Sequence, residues 1–193
     1  MKLDLRFTAR PLEDLWCDTV VAFGFQEHYT QENGISGIDV KTSGGLTRLL
    51  KNGFWTGADG ETLLIASENM IRADKILLKG LGAPSGYSAE NLSVRIRELA
   101  GALGRMSIND FAIRIPVTEE SEPEYCSYIE SACTDLVDSF LAQHEDDDDF
   151  FLKILVSLED TFVQGLEKTI RQLKEHFMSK LDYSIIIDRT DRN

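Results

Sequence analysis

The chain has 193 residues, 42% hydrophobic and 27% charged, and a formal net charge of −13. That length and balance fit one globular domain, residues 1–193, able to bury about 70% of its unfolded surface. So acidic a surface repels phosphate backbones and anionic headgroups, so nucleic acid and membranes are excluded as expected partners.

The opening M-K-L-D-L-R-F alternates polar and apolar residues, with Leu3, Leu5 and Phe7 on one side. It reads as a strand with one wet face, not as a signal peptide. Residues 19–25 (T-V-V-A-F-G-F) form a continuous apolar run, the pattern of a strand buried on both faces. A polar loop follows, and then Ile35, Ile38, Leu46, Leu49 and Leu50 predict a helix. Gly44 and Gly45 interrupt it; close approach of helix to sheet would explain glycine there, and Gly53 is the expected C-cap. Residues 61–67 and 74–79 are the next two strands. Residues 89–106 form the clearest amphipathic helix, with Leu92, Ile96, Leu99 and Leu103 on one face, Ser88 as N-cap and Gly104 as terminator.

Residues 110–115 read as a strand stopped by Pro116. A helix starts at Pro123 and turns Ile129, Cys133, Leu136 and Phe140 inward, ending at the acidic loop 145–149. Residues 150–158 are an apolar strand. Asp160 or Thr161 caps a last helix bearing Phe162, Leu166, Ile170, Leu173 and Phe177, and residues 183–187 close the order as a strand. Strands and helices alternate, with one strand pair lacking a helix between, which predicts an α/β fold: a mixed sheet with helices on both faces. Cys126 and Cys133 share one helix, roughly 10 Å apart at its 1.5 Å rise, too far to bridge. With Cys17 they make an odd count of reduced thiols, so the expected localisation is cytoplasmic.

Five pieces in order, G-G-L-T-R-L-L-K at 44–51, G-E-T-L-L-I at 60–65, D-K-I-L-L-K-G-L-G at 74–82, S-A-E-N-L-S-V-R-I-R-E-L-A-G-A-L at 88–103 and F-A-I-R-I-P at 111–116, resemble the N-terminal, non-catalytic domain of the leucyl (cytosol) aminopeptidase family. The resemblance implies a three-layer, macro-domain-like fold with a mixed, mainly parallel sheet. In that family the domain precedes a catalytic domain holding two metal ions, with an Asn-Thr-Asp-Ala-Glu-Gly-Arg segment and a Thr-Phe-Asp-Ser-Gly-Gly segment. Neither occurs here, so none of the family's catalytic or metal residues carries over, and neither peptidase activity, metal nor cofactor is expected.

Residues 80–86 (G-L-G-A-P-S-G) lie between a predicted strand and a predicted helix. Gly80, Gly82, Ser85 and Gly86, with Ser88 opening the helix, offer close backbone approach and free N–H groups to a small phosphate-containing ligand. The alternative for this segment is a tight turn needing positive φ. Residues 31–37, with Gly34, Ser36 and Gly37, form a second candidate cleft loop, or else a surface loop. The block 145–149 lacks the ligand–spacer–glycine alternation of a calcium loop and reads as solvated. His28, His144 and His176 are isolated, Cys17 has no basic neighbour in sequence, and Ser85 lacks the G-x-S-x-G elbow.

The leading functional expectation is a non-catalytic binding or interaction module that self-associates or binds a partner protein. Phe162, Phe177 and Met178 are candidates for surplus apolar surface on the last helix, with core packing as the other reading. The alternative is a macro-like small-molecule module taking a nucleotide or ADP-ribose-type ligand at residues 80–86. A residual hydrolase finds no cluster of nucleophile, base and orienting group.

Overall fold

The structure, a computed structural model, describes residues 1–26, 35–116, 122–159 and 165–188. Among them the strands are β1 (Lys2–Thr8), β2 (Thr19–Gly24), β3 (Thr62–Ala66), β4 (Lys75–Gly80), β5 (Asp110–Ile113), β6 (Phe151–Ser157) and β7 (Asp182–Asp188). They form one sheet in the order β3-β4-β2-β5-β6-β1-β7. Every neighbouring pair is parallel except β3 and β4, joined without a helix and antiparallel. The helices are α1 (Ile35–Lys41), α2 (Gly45–Lys51), α3 (Ala89–Arg105), α4 (Glu122–Gln143) and α5 (Leu166–Phe177). They lie on both faces, the expected three-layer α/β architecture with a mixed, mainly parallel sheet.

The larger core fills the face under α3, α4 and α5. Leu3, Leu5 and Phe7 of β1 meet Ile154 of β6 and Ile185 of β7 there, against Ile96, Leu103, Ile129, Phe140, Leu173 and Phe177 of the helices. The smaller core lies under α1 and α2, where Val20 and Ala22 of β2 and Ile76 and Leu78 of β4 meet Ile38, Leu46 and Trp55. Burying one such aliphatic or aromatic side chain is worth about 1.5–3 kcal/mol, which holds the layers together. β2, buried at every position and apolar from Val20 to Phe23, is covered on both sides. Toward β6, β1 and β7 the second face is more open: Lys2, Arg6, Phe151, Ser184 and Ile186 are exposed, while Asp4, Thr8 and Ser157 are buried and Leu155 packs on the smaller core, and the pairs Arg6–Asp4 (2.7 Å) and Lys153–Asp110 (3.0 Å) run along and between strands.

Two glycines act differently from expectation. Gly44 takes a left-handed φ of 77° and divides the predicted helix in two. It serves a turn, not contact with the sheet, and the Asp39 carboxylate accepts from Thr47 N–H (2.9 Å) at the start of α2. Gly104 does not end α3: the helix runs to Arg105, and Ser107 adopts the left-handed φ, 56°. Gly104 is instead where α3 meets α4, since a Cβ there would lie 2.0 Å from Gln143 Oε1. Gly53 does follow α2 with φ 69°, as a C-terminal glycine should. Asp160, Thr161 and Phe162 lie outside the described residues; Phe177 is fully buried and Met178 is exposed.

Candidate functional site

The connections around β2 diverge. β2 leads to α1 over the smaller core, whereas its neighbours β4 and β5 lead to α3 and α4 over the larger one. At such a switch point the carboxyl ends of parallel strands leave a crevice, where open α/β sheets place their ligands.

The backbone there is tightly laced. Leu81 N–H donates to Gly24 O (2.9 Å), Gln26 N–H to Gly82 O (2.8 Å) and Gly82 N–H to Gly57 O (3.0 Å). A Cβ on Gly80 would stand 2.0 Å from Ala58 O, and Gly82, at φ 70°, abuts Asp59. These two glycines thus let the turn at residues 57–59 close against β4. After Gly82 the chain swings outward: residues 83–86 are exposed, with a short 3-10 turn at Pro84–Gly86. The Ala83 and Ser85 N–H groups and the Ser85 hydroxyl make no hydrogen bond among the described residues, and a Cβ on Gly86 would meet nothing within 4 Å. Ser88 caps α3, accepting from Asn91 N–H at 3.2 Å. Glu90 stands in the same turn, its carboxyl held below the usual range by its own backbone N–H and by Ser88.

Three aromatic side chains tie the exits of β2, β4 and β5 together. Phe25 meets the Tyr87 ring edge-on at 5.2 Å, and Tyr87 stacks on Tyr128 of α4 at 6.2 Å. The Tyr87 hydroxyl, whose pKa burial pushes far up, donates to Pro116 O just past β5. Beside them a groove of about 170 Å³ opens between α3 and α4, lined by Ala89, Leu92, Ser93, Ser127, Tyr128 and Ser131. Adjacent composition gave no cue to this cluster: Phe25, Tyr87 and Tyr128 are far apart in sequence, and only the position of Tyr87 directly after Gly86 hints at it.

The second candidate loop divides. Gly34 lies outside the described residues, while Ser36 and Gly37 sit within the first turn of α1. A Cβ on Gly37 would come 1.9 Å from Glu13 Oε1, so this glycine packs against the 3-10 turn Leu12–Asp14. Ile35 Cδ1, by contrast, approaches Gly24 to 3.1 Å from its Cβ position, beside Trp55.

The nearby cations have carboxylate partners. Lys79, only 3% exposed, donates to Gly60 O (2.9 Å), Thr62 Oγ1 (3.2 Å) and Glu98 (3.1 Å). Arg95 holds Asp59 (2.7 Å) and Glu98 (2.6 Å), and Arg114 holds Glu159 (3.2 Å). Among the described residues no group of three or more His, Cys, Asp or Glu is arranged to hold a metal ion. His144 stacks on Phe150 and His176 contacts Asp138 (2.8 Å), while His28 is outside the described residues. Burial pushes the Cys17 and Cys133 thiols up to about 12. No helix among the described residues is long and apolar enough to cross a membrane.

Residues 20–142 match the cytosol aminopeptidase family, N-terminal domain, and the chain belongs to that family. No curated protein matches it in sequence. Among solved structures it is similar to a mutant of the macrodomain of Oceanobacillus iheyensis, with TM-score 0.58 and 10% identity, over 88% of this chain and 92% of the other. It is likewise similar to the Trypanosoma brucei macrodomain in complex with ADP-ribose, with TM-score 0.60 and 14% identity, over 85% and 68% of the two chains. A tomato leucine aminopeptidase mutant aligns with TM-score 0.53 and 12% identity, over 87% of this chain and 32% of the enzyme, so the chain spans about a third of that protein's length. At these identities the likeness establishes a shared macrodomain-like fold.

Proposed function

We propose that this chain is a small-molecule-binding module of macrodomain type, taking a nucleotide or ADP-ribose-type ligand at the carboxyl edge of β2, β4 and β5. The observation that carries the reading is the divergence of connections at β2, with an outward loop beside it whose donors are unused. The Ala83 and Ser85 N–H groups and the Ser85 hydroxyl would receive phosphate oxygens, and Gly86 would leave room for them. Gly80, Gly82 and Ser88 would act behind them by shaping the loop and opening α3. The Trypanosoma brucei structures with ADP and with ADP-ribose support this ligand class over a purely structural domain.

The test is thermal unfolding with ADP-ribose, ADP, AMP and inorganic phosphate. A ligand at about 100 times its Kd stabilises the fold by about 2.7 kcal/mol, a shift of roughly 5–10 °C for a chain of this length. Gly86→Asp puts a carboxylate where the phosphate would sit and is sterically free. It should abolish the shift while leaving the unliganded midpoint unchanged. No shift with any of the four, or an equal shift in Gly86→Asp, would overturn the reading. Because the chain is acidic, affinity for an anion should rise as added salt screens the repulsion.

A further inference from the structure

A second hollow, of about 350 Å³, lies at the other end of the same strands, before β2 and β4 begin. Trp16, Met70 and Arg72 line it with Glu13, Lys41 and Asp74. Trp16 is 66% exposed and Met70 39%, and the Arg72 guanidinium sits 5.2 Å over the Trp16 ring. Trp, Met and Arg are the side chains enriched at the centres of protein interfaces, and Trp and Arg supply most of their binding energy. Apart from the Arg72 contact most of the Trp16 side chain faces outward, and it is grouped with a second large apolar side chain, Met70, in a concave setting.

The charges select the partner. Lys41 is engaged by Asp14 at 3.4 Å, and Arg72 lies on the indole. Among the described residues the carboxylates of Glu13 and Asp74 form no ion pair, although Lys41 and Arg72 share the hollow, so its three carboxylates, with Asp14, outnumber its two cations. On a chain of net charge −13, the complement of this hollow is cationic. A second copy would present the same excess of carboxylates and be repelled. We propose that the hollow docks a basic segment of a partner protein, seating an Arg or Lys side chain on the exposed indole of Trp16 beside Glu13 and Asp74. The contact is the cation–π pairing that Arg72 already makes, offered to a second cation and reinforced by two carboxylates.

The chain has two tryptophans, Trp16 exposed and Trp55 fully buried, so two indole N–H resonances report the two ends of the molecule separately. Titration with a tri-arginine peptide amide should move the Trp16 resonance and leave that of Trp55 in place, whereas tri-glutamate should move neither. Trp16→Ala, at an exposed site, should keep its unfolding midpoint and bind tri-arginine at least ten-fold more weakly. Asp74→Asn should weaken binding about three-fold and reduce its salt dependence, and neutralising Asp146, Asp147 and Asp148 should leave it unchanged. Three results would each overturn the proposal: no Trp16 shift at millimolar peptide, undiminished binding by Trp16→Ala, or binding lost with the acidic loop. ADP-ribose is expected to act on neither Trp16 nor this titration, which keeps the two sites separable.

Discussion

The two halves of the sheet's second face are built from different strands. Over β2 and β4, α1 and α2 bury Val20, Ala22, Ile76 and Leu78. Over β1 and β7 the same side carries Lys2, Arg6, Ser184 and Ile186 toward water. The number of layers above a strand follows from its own pattern: β2 is a continuous apolar run from Val20 to Phe23, while β1 alternates. The connections switch sides at β2, beside the covered half, so the proposed site would lie near the boundary between the two regimes.

The comparison breaks most severely at Trp55. This side chain is fully buried against Gly24 in the covered half, so Trp55→Ala should cost about 3–5 kcal/mol, read as a collapse of the unfolding midpoint. Gly24→Ala tests the same contact from the other side. Its Cβ would stand 2.2 Å from Trp55 Cη2, and such overpacking costs about 1–3 kcal/mol. Trp55 Nε1 is buried without a partner among the described residues, so Trp55→Phe should be tolerated far better than Trp55→Ala.

Acid should act next, through the turn that abuts Gly80 and Gly82. Although burial alone would raise the Glu61 pKa, N–H groups of Thr56, Ala58 and Gly57 and the Thr56 hydroxyl hold its carboxyl below the usual range. Glu98 is lowered too, burial being outweighed by Arg95 and Lys79. A depressed folded pKa contributes stability that is present above about pH 4.5 and lost as pH falls through the lower folded value. Glu61→Gln should therefore flatten the acid limb of a stability–pH curve. The smallest effects belong to the open half. Arg6→Ala strips the donors from the Asp4 carboxylate, whose side chain is only 12% exposed, and should cost about 1–2 kcal/mol, whereas Ile186→Lys should stay within about 0.5 kcal/mol. A large loss from Ile186→Lys would mean that the open half is covered in solution.

Much of this was legible in the residues. The apolar runs and the four-three-four spacing of Leu92, Ile96, Leu99 and Leu103 place strands and helices, because period encodes the buried face. The split at Gly44 was not, since a glycine pair looks the same whether it lets a helix approach a sheet or turns the chain left-handed. The site was legible only as a loop. Gly80 and Gly82 announce close approach, but whether to a ligand or to the chain's own Ala58 and Asp59 depends on a turn more than twenty residues earlier. The stack of Phe25, Tyr87 and Tyr128 likewise depends on the order of strands, which no local pattern carries.

The edge strand β7 begins with Asp182 and ends with Asp188. If two copies joined along this edge antiparallel about Ile185, Asp182 of each would stand opposite Asp188 of the other, setting carboxylates face to face at both ends of the ladder. Like charges directly opposed destabilise a strand pair. In that register the sheet carries at its β7 rim a brake on edge-to-edge self-pairing, and a strand with basic ends would meet attraction there instead.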